Sequence, residues 1–367
     1  VDSSVFVAYF VMALPAGFIM KKYGYKIGII IGLLIFASGC FLFIPAANTQ
    51  QYTFFLVALF IIACGLTILE TAANPFASLL GDPETSTQRL NLSQSFNGLA
   101  AALAPIIGAR IILTKGYTDV QLSAMTEAAR KIALASEASS VKLPYFVLGT
   151  VLVLIAVIFA FTHLPSIQNG EGHTASKHIL HAFKHKHLSW GVLSQFVYVG
   201  AQVSVFSLFI LYATKSAAIT EVKAADYLGA CGVAFLVGRF LGTFLMKYIK
   251  APSLLAIYAA INVLLCIVAI KAHGMITVYA VIGICFFMSI MFPTIFSLGI
   301  QNLKGDTEYG SSLLIMSIVG GAIVPRFFAY IGDRTNDIQN GYVVPLLCFV
   351  VIFLFGWKGY RTKEERA

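Results

Sequence analysis

The sequence predicts an all-α membrane protein, and three observations predict it. Of 367 residues, 59% are hydrophobic and only 11% are charged, whereas a soluble domain carries about 25% charged residues. The mean hydropathy is +0.85. The apolar residues fall in long continuous runs, and a helix of about 20 such residues crosses a hydrocarbon core of about 30 Å. Lipid satisfies no free backbone polar group, so only helices and closed barrels span it. Continuous rather than alternating runs select helices.

Eleven spans follow in order: 4–20, 26–46, 52–80, 89–113, 144–164, 188–214, 226–247, 252–270, 274–302, 309–331 and 341–358. Turn residues and charges separate them, as Lys21, Lys22 and Gly24 separate the first two. Pro75 lies inside the third span, where it removes a backbone hydrogen bond and can kink the helix. The stretch 114–143 is more polar and is expected to hold a short surface helix. The stretch 165–187 is the most polar of all and contains Gly170, Gly172 and several lysines and histidines. The expected organisation is an N-terminal bundle over 1–164, a cytoplasmic linker over 165–187 and a C-terminal bundle over 188–367.

An odd number of spans puts the two ends on opposite sides. One set of connections, from Lys21 to Arg366, holds fourteen Lys and Arg residues, and the other holds eight. Cytoplasmic loops carry the excess, which places the C-terminus inside and Val1 outside. The net charge of +9 belongs to those loops, and no nucleic-acid partner is expected. The six cysteines lie inside apolar stretches without paired spacing and read as small core residues. There is no P-loop, no Ser/His/Asp arrangement and no metal-hydrolase pattern, so neither an enzyme nor an ATP-driven pump is indicated. No cofactor or metal is expected, and a monomer is.

Two echoes point to a repeat. Gly17 and Met20-Lys21-Lys22-Tyr23 match Gly242 and Met246-Lys247-Tyr248, with Lys21 and Lys247 offset by 226 residues. Asp82-Pro83-Glu84 matches Asp306-Thr307-Glu308 at an offset of 224. The halves are therefore parallel, with five spans in the first and six in the second. Val1 already enters a helix, without a signal peptide. One further helix before it would give two bundles of six, the layout of the major facilitator fold.

The polar residues inside the spans carry the chemistry. Glu70 lies in the middle of the third span among apolar neighbours. A carboxylate there is expensive, on the order of 2.5–3.5 kcal/mol on insertion scales, and such residues mark ion or proton pathways. Burial disfavours the ionised form, which suits proton uptake and release; pairing with a buried arginine is the structural alternative. Thr67, Glu70 and Asn74 share one helix face. Asn91, Gln94 and Asn97 recur every three residues on the next span, where amides must find partners on helices or on a polar solute. A carboxyl and amides together supply the donors and acceptors that sugar hydroxyls need.

In the second half, Gln195, Tyr198 and Gln202 share a face, and Tyr198 and Gln202 are the candidate sugar contacts there. Asn262 reads as a helix-packing amide. Arg239, within the Gly238–Gly242 stretch, is expected to be paired and to have a structural or gating role, and the loop with Asp306 and Glu308 could supply the partner. His178, His181 and His185 have helical spacing but read as a solvated linker.

At these residues the chain resembles the fucose–galactose–glucose:proton symporter family. The segments are LETAANPF (69–76), RLNLSQSFN (89–97), QFVYVGAQ (195–202), GRFLGT (238–243), PTIFSLGI (293–300) and YGSS (309–312). The resemblance covers nearly the whole chain. It implies a major facilitator fold and proton-driven sugar uptake across a bacterial inner membrane. It assigns Glu70 to proton coupling and sugar contact, with Gln94 and Asn97 in a central cavity. The loop from Gly17 to Lys26 resembles the superfamily's gating motif, which implies gating roles for Lys22 and Lys26.

The sequence departs from the family at several positions. Lys21 stands where an aspartate is usual and Tyr25 where an arginine is usual. Phe206 replaces a tryptophan of the fucose branch, and Met291-Phe292 replaces a Gln-Tyr pair. Gln202 matches the fucose branch, since the glucose/galactose branch tends to have glutamate there. The family's first helix, with its Asn-Asp pair, would lie before residue 1, and a chain lacking it is not expected to transport normally. The expected function is proton-coupled uptake of L-fucose or a related hexose. The alternatives are a symporter for another sugar, such as glucose, galactose or an amino sugar, and an uncoupled receptor or channel.

Overall fold

The computed structural model describes residues 2–49, 51–111, 123–165 and 179–362. Among them there is no strand, and helices follow one another almost without pause. The chain divides into two compact units. One comprises Val1–Ala73 and Leu103–Ser166, the other Asn74–Ala102 and Ile167–Ala367.

The first unit begins with α1 (Asp2–Thr49), which is broken at Gly24 (φ 81°, ψ 168°). That conformation suits only glycine. Its 45-residue apolar part, Val5–Thr49, would measure about 68 Å if straight, twice what one crossing needs. The break makes two spans of it, which are the expected 4–20 and 26–46.

The second of these packs against α2 (Tyr52–Leu79) along glycines. A Cβ at Gly65 would lie 2.4 Å from the Phe36 backbone nitrogen. Two membrane helices gain van der Waals contact by such close approach, since lipid offers them no hydrophobic drive to associate. The other elements are the surface helix α4 (Glu127–Ser140) and α5 (Lys142–Phe161). Thr126 caps α4 by accepting from the Ala129 N–H. Tyr145 of α5 stacks on Phe43 at 3.7 Å. The buried residues of α5, Gly149, Leu152 and Ala156, form one stripe, and Leu154, Ile158 and Phe161 are exposed as lipid-facing side chains.

The second unit holds the C-terminal part of α2, most of α3 (Ser86–Ile111) and all helices after residue 179. The expected span 188–214 is a bent pair, α6 (Lys186–Ser207) and α7 (Phe209–Ala217), at 56°. Neither proline nor glycine sits at the bend. Packing of α7 sets it: Phe209, Tyr212 and Ala213 are buried, and the Tyr212 hydroxyl donates to the Ala269 carbonyl at 2.7 Å.

Next come α8 (Glu221–Leu245) and α9 (Ala251–Lys271). The span 274–302 is broken into α10 (Met275–Met288) and α11 (Met291–Ile300). Pro293 explains the break, because it has no N–H for the Ser289 carbonyl four residues earlier. The span 309–331 is α12 (Thr307–Met316) and α13 (Gly320–Thr335), and α14 (Val343–Leu354) ends in a π-turn over Phe355–Gly359.

Among the described residues, eight helices are long and apolar enough to cross a membrane, or nine with the bent pair. Two more complete the expected eleven: the second span within α1, and α3. The latter has 26 residues but carries Arg89, Asn91, Gln94 and Asn97. All six cysteines are free and buried.

Candidate functional site

Glu70 sits on α2 in the first unit. It meets a hydroxyl, not a guanidinium: buried Tyr9 of α1 donates to its Oε1 at 3.1 Å. Among the described side chains, the carboxyl makes no arginine pairing of the kind weighed from sequence. Tyr9 precedes Glu70 by 61 residues, and no local pattern in the sequence links the two. Thr67 and Thr71 spend their hydroxyls on the carbonyls of Ala63 and Thr67 in their own helix. Of the Thr67, Glu70, Asn74 face, only the carboxyl and the amide remain for other work.

In the second unit the amides form a relay. The Gln94 amide donates to Asn74 Oδ1 at 2.8 Å, and Asn97 donates to Gln94 Oε1 at 3.2 Å. Burial falls along it, from buried Asn74 through partly buried Gln94 to exposed Asn97. Asn74 does not serve the carbonyl that Pro75 frees, because its oxygen accepts from Gln94 and its Nδ2 has no hydrogen-bond partner among the described residues. Asn91 belongs to a different set. It is fully buried, donating to Thr294 Oγ1 of α11 at 3.1 Å and to the Thr87 carbonyl. With Thr87 at 2.9 Å from Ser297 and Gln88 bonded to the Thr243 carbonyl, it fastens the first turns of α3 to α8 and α11.

Arg239 requires a correction. It does not pair with Asp306 or Glu308. Its Nε donates to the Ser289 carbonyl at 2.8 Å and its Nη1 to the Gln94 carbonyl at 2.7 Å. The first is the carbonyl that Pro293 leaves without a partner, so a buried cation takes the place of the missing N–H. Gly238 makes room, since a Cβ there would lie 2.3 Å from the Phe286 carbonyl oxygen. The guanidinium also lies 4.6 Å from the centre of the Phe235 ring, which packs edge-on against Phe206 at 5.9 Å. Asp306 instead bonds His185 at 3.2 Å.

Tyr198 is fully buried on α6, with its ring 6.3 Å from Phe292. Its hydroxyl and both amide atoms of its neighbour Gln195 meet no hydrogen-bond partner among the described residues. Gln202 on the same face is partly exposed. Asn262, expected to bond another helix, is fully buried without a hydrogen-bond partner at either amide atom among the described residues.

The two lysines of the expected gate differ. Lys26 donates to the carbonyls of Ala160 and Thr162 at 2.9 Å each, capping the C-terminal end of α5, where a cation is favoured. Lys22 lies 5.0 Å above its neighbour Tyr23's ring. His178 lies outside the described residues.

Three comparisons bear on this arrangement. The Major Facilitator Superfamily model matches residues 1–325. The L-fucose-proton symporter of Escherichia coli is 40% identical over 364 residues, covering 97% of this chain and 83% of that protein. The glucose/galactose transporter of Brucella abortus is 39% identical over 359 residues, covering 97% of this chain and 84% of that protein. A solved structure of the transporter FucP in the outward conformation superposes with a TM-score of 0.91 at 39% identity, covering 97% of this chain and 88% of that one.

Proposed function

The chain belongs to the major facilitator superfamily, and from that premise we propose a proton-coupled symporter for L-fucose or a related hexose. Both sugar-transporting relatives match nearly the whole chain at almost equal identity. The observation that carries the reading is a membrane-depth carboxyl, Glu70, held by a hydroxyl and with no arginine partner among the described side chains, on the helix that leads into an amide relay.

Glu70 takes up the proton, and its neutral carboxyl offers a donor as well as an acceptor. Asn74, Gln94 and Asn97 present both kinds of group to sugar hydroxyls. Tyr198 and Gln202 supply contacts from the second half, and the Phe206–Phe235 pair supplies an apolar wall. The moving bodies are the bundles 1–164 and 188–367, joined by the linker 165–187. On that division the bonds from α3 to α8 and α11, including Arg239 to the Gln94 carbonyl, must break in each transport cycle. Arg239 is thus a gating residue, and Lys22 and Lys26 are gating residues of the first half.

The protein works as a monomer in a bacterial inner membrane, with its C-terminus in the cytoplasm. The excess of Lys and Arg on that side supports the orientation. A proton entering down 100 mV releases ~2.3 kcal/mol, enough for accumulation of about fortyfold at 1.4 kcal/mol per tenfold.

The test is a pH electrode in a lightly buffered suspension of de-energised cells that produce the full-length protein. Adding L-fucose should alkalinise the medium, and glucose, galactose and amino sugars in parallel rank the substrate. Uptake of labelled sugar with no pH change would identify an uncoupled carrier or channel instead.

A further inference from the structure

Outside the polar relay, the second unit has a groove of about 350 Å³ between the start of α3 and the end of α8. We infer that this groove binds one anionic phospholipid of the leaflet at that end, with the phosphate between Arg89 and Lys247 and an acyl chain against Leu92, Phe240 and Phe244.

Charge argues first. No carboxylate lies within 4.0 Å of either cation among the described residues. Arg89 spends four of its five N–H donors on the carbonyls of Ala77, Ser78 and Asp82 and on Thr85 Oγ1. It is thereby held rigidly, with one donor left. Lys247 is exposed, and its ammonium lies 5.7 Å above the Phe244 ring and makes no hydrogen bond among the described residues, its backbone N–H alone donating to the Phe244 carbonyl.

Direction argues second. Leu92, Phe240 and Phe244 are 50%, 43% and 49% exposed. Phe240 and Phe244 share one face of α8 at i and i+4, and Lys247 stands in the turn just past its C-terminal end, so the apolar wall runs along the helix away from the cation by roughly 6 Å between the two rings' positions. The groove is cationic at the membrane face and apolar deeper in, which is the order of a phospholipid from headgroup to tail. Basic sites between helices at the cytoplasmic face recognise anionic headgroups in this way. A free phosphate would leave the apolar wall in contact with nothing. The inference needs only that the helices span a membrane, and it stands apart from the choice of transported solute.

The experiment is native mass spectrometry of the delipidated protein in detergent, titrated with phosphatidylglycerol, phosphatidylcholine or inorganic phosphate. The wild type should retain phosphatidylglycerol well above phosphatidylcholine, and inorganic phosphate should neither bind nor displace it. Each basic side chain is worth roughly fivefold in affinity for an anionic membrane, so Lys247→Glu should weaken phosphatidylglycerol binding by roughly twenty-five-fold. Lys247→Arg should preserve it. Lys247 makes no bond that folding needs, so the variants report on the site. Equal retention of the two lipids, or unchanged phosphatidylglycerol binding in Lys247→Glu, overturns the inference. Displacement of the lipid by inorganic phosphate overturns it too and assigns the cations to a soluble anion.

Discussion

At the scale of single residues, the polar groups of α3 separate into two kinds by what they touch. Asn91 spends its amide N–H groups on Thr294 and the Thr87 carbonyl, deep in the packing between helices. Gln94 and Asn97 bond along a relay that reaches an exposed end. Asn97→Ala should therefore weaken sugar binding by about tenfold with little change in thermal stability, since a lost ligand hydrogen bond is worth roughly 1–2 kcal/mol. Asn91→Ala should lower the melting temperature in detergent and leave sugar affinity within about twofold. Calorimetric titration beside thermal unfolding distinguishes the two. Arg239→Leu should be more damaging to stability, on the order of 2–4 kcal/mol, because it strips a buried carbonyl of its charged donor. Differential scanning fluorimetry measures that loss.

The candidate residues were legible because an ionisable or amide side chain inside an apolar run is conspicuous. Their partners were not. Tyr9 is a hydrophobic residue by count, and its hydroxyl becomes relevant only when α1 meets α2. For Arg239 the sequence offers acidic residues as candidate partners, because charges are visible in a sequence and freed carbonyls are not. Pro293 was the available signal: it names the Ser289 carbonyl as unfilled, and a nearby cation answers it.

At the scale of elements, hydropathy located the spans and missed their breaks. An apolar run has the same composition whether its helix is straight or bent. The break at Gly24 coincides with Lys21 and Lys22 and could be read. The break between α10 and α11 could be inferred from Pro293. The bend after Ser207 leaves no mark, since the burial of Tyr212 produces it. Close approach is likewise a property of pairs of helices. Gly65 opposes the Phe36 backbone nitrogen, and a side chain there must push backbone rather than a flexible end. Gly65→Leu should leave little folded, monodisperse protein by size-exclusion chromatography, while Gly65→Ala should fold with a lowered melting temperature. A Gly65→Leu protein of unchanged stability would show that α1 and α2 do not need this contact.

At the scale of the whole molecule, proton-coupled transport as proposed needs one titratable carboxyl and a set of neutral hydrogen-bonding groups. In the proposed function the carboxyl decides whether movement is coupled to protons, and the neutral groups decide what is moved. Removing the first should uncouple transport without abolishing recognition. The direct measurement uses proteoliposomes containing the full-length protein, with an imposed proton gradient and labelled L-fucose. The wild type should accumulate sugar above the external concentration. Glu70→Gln should exchange sugar across the membrane at equal concentrations but never exceed the external level. If the Glu70→Gln protein accumulates sugar as the wild type does, Glu70 is not where the proton is coupled.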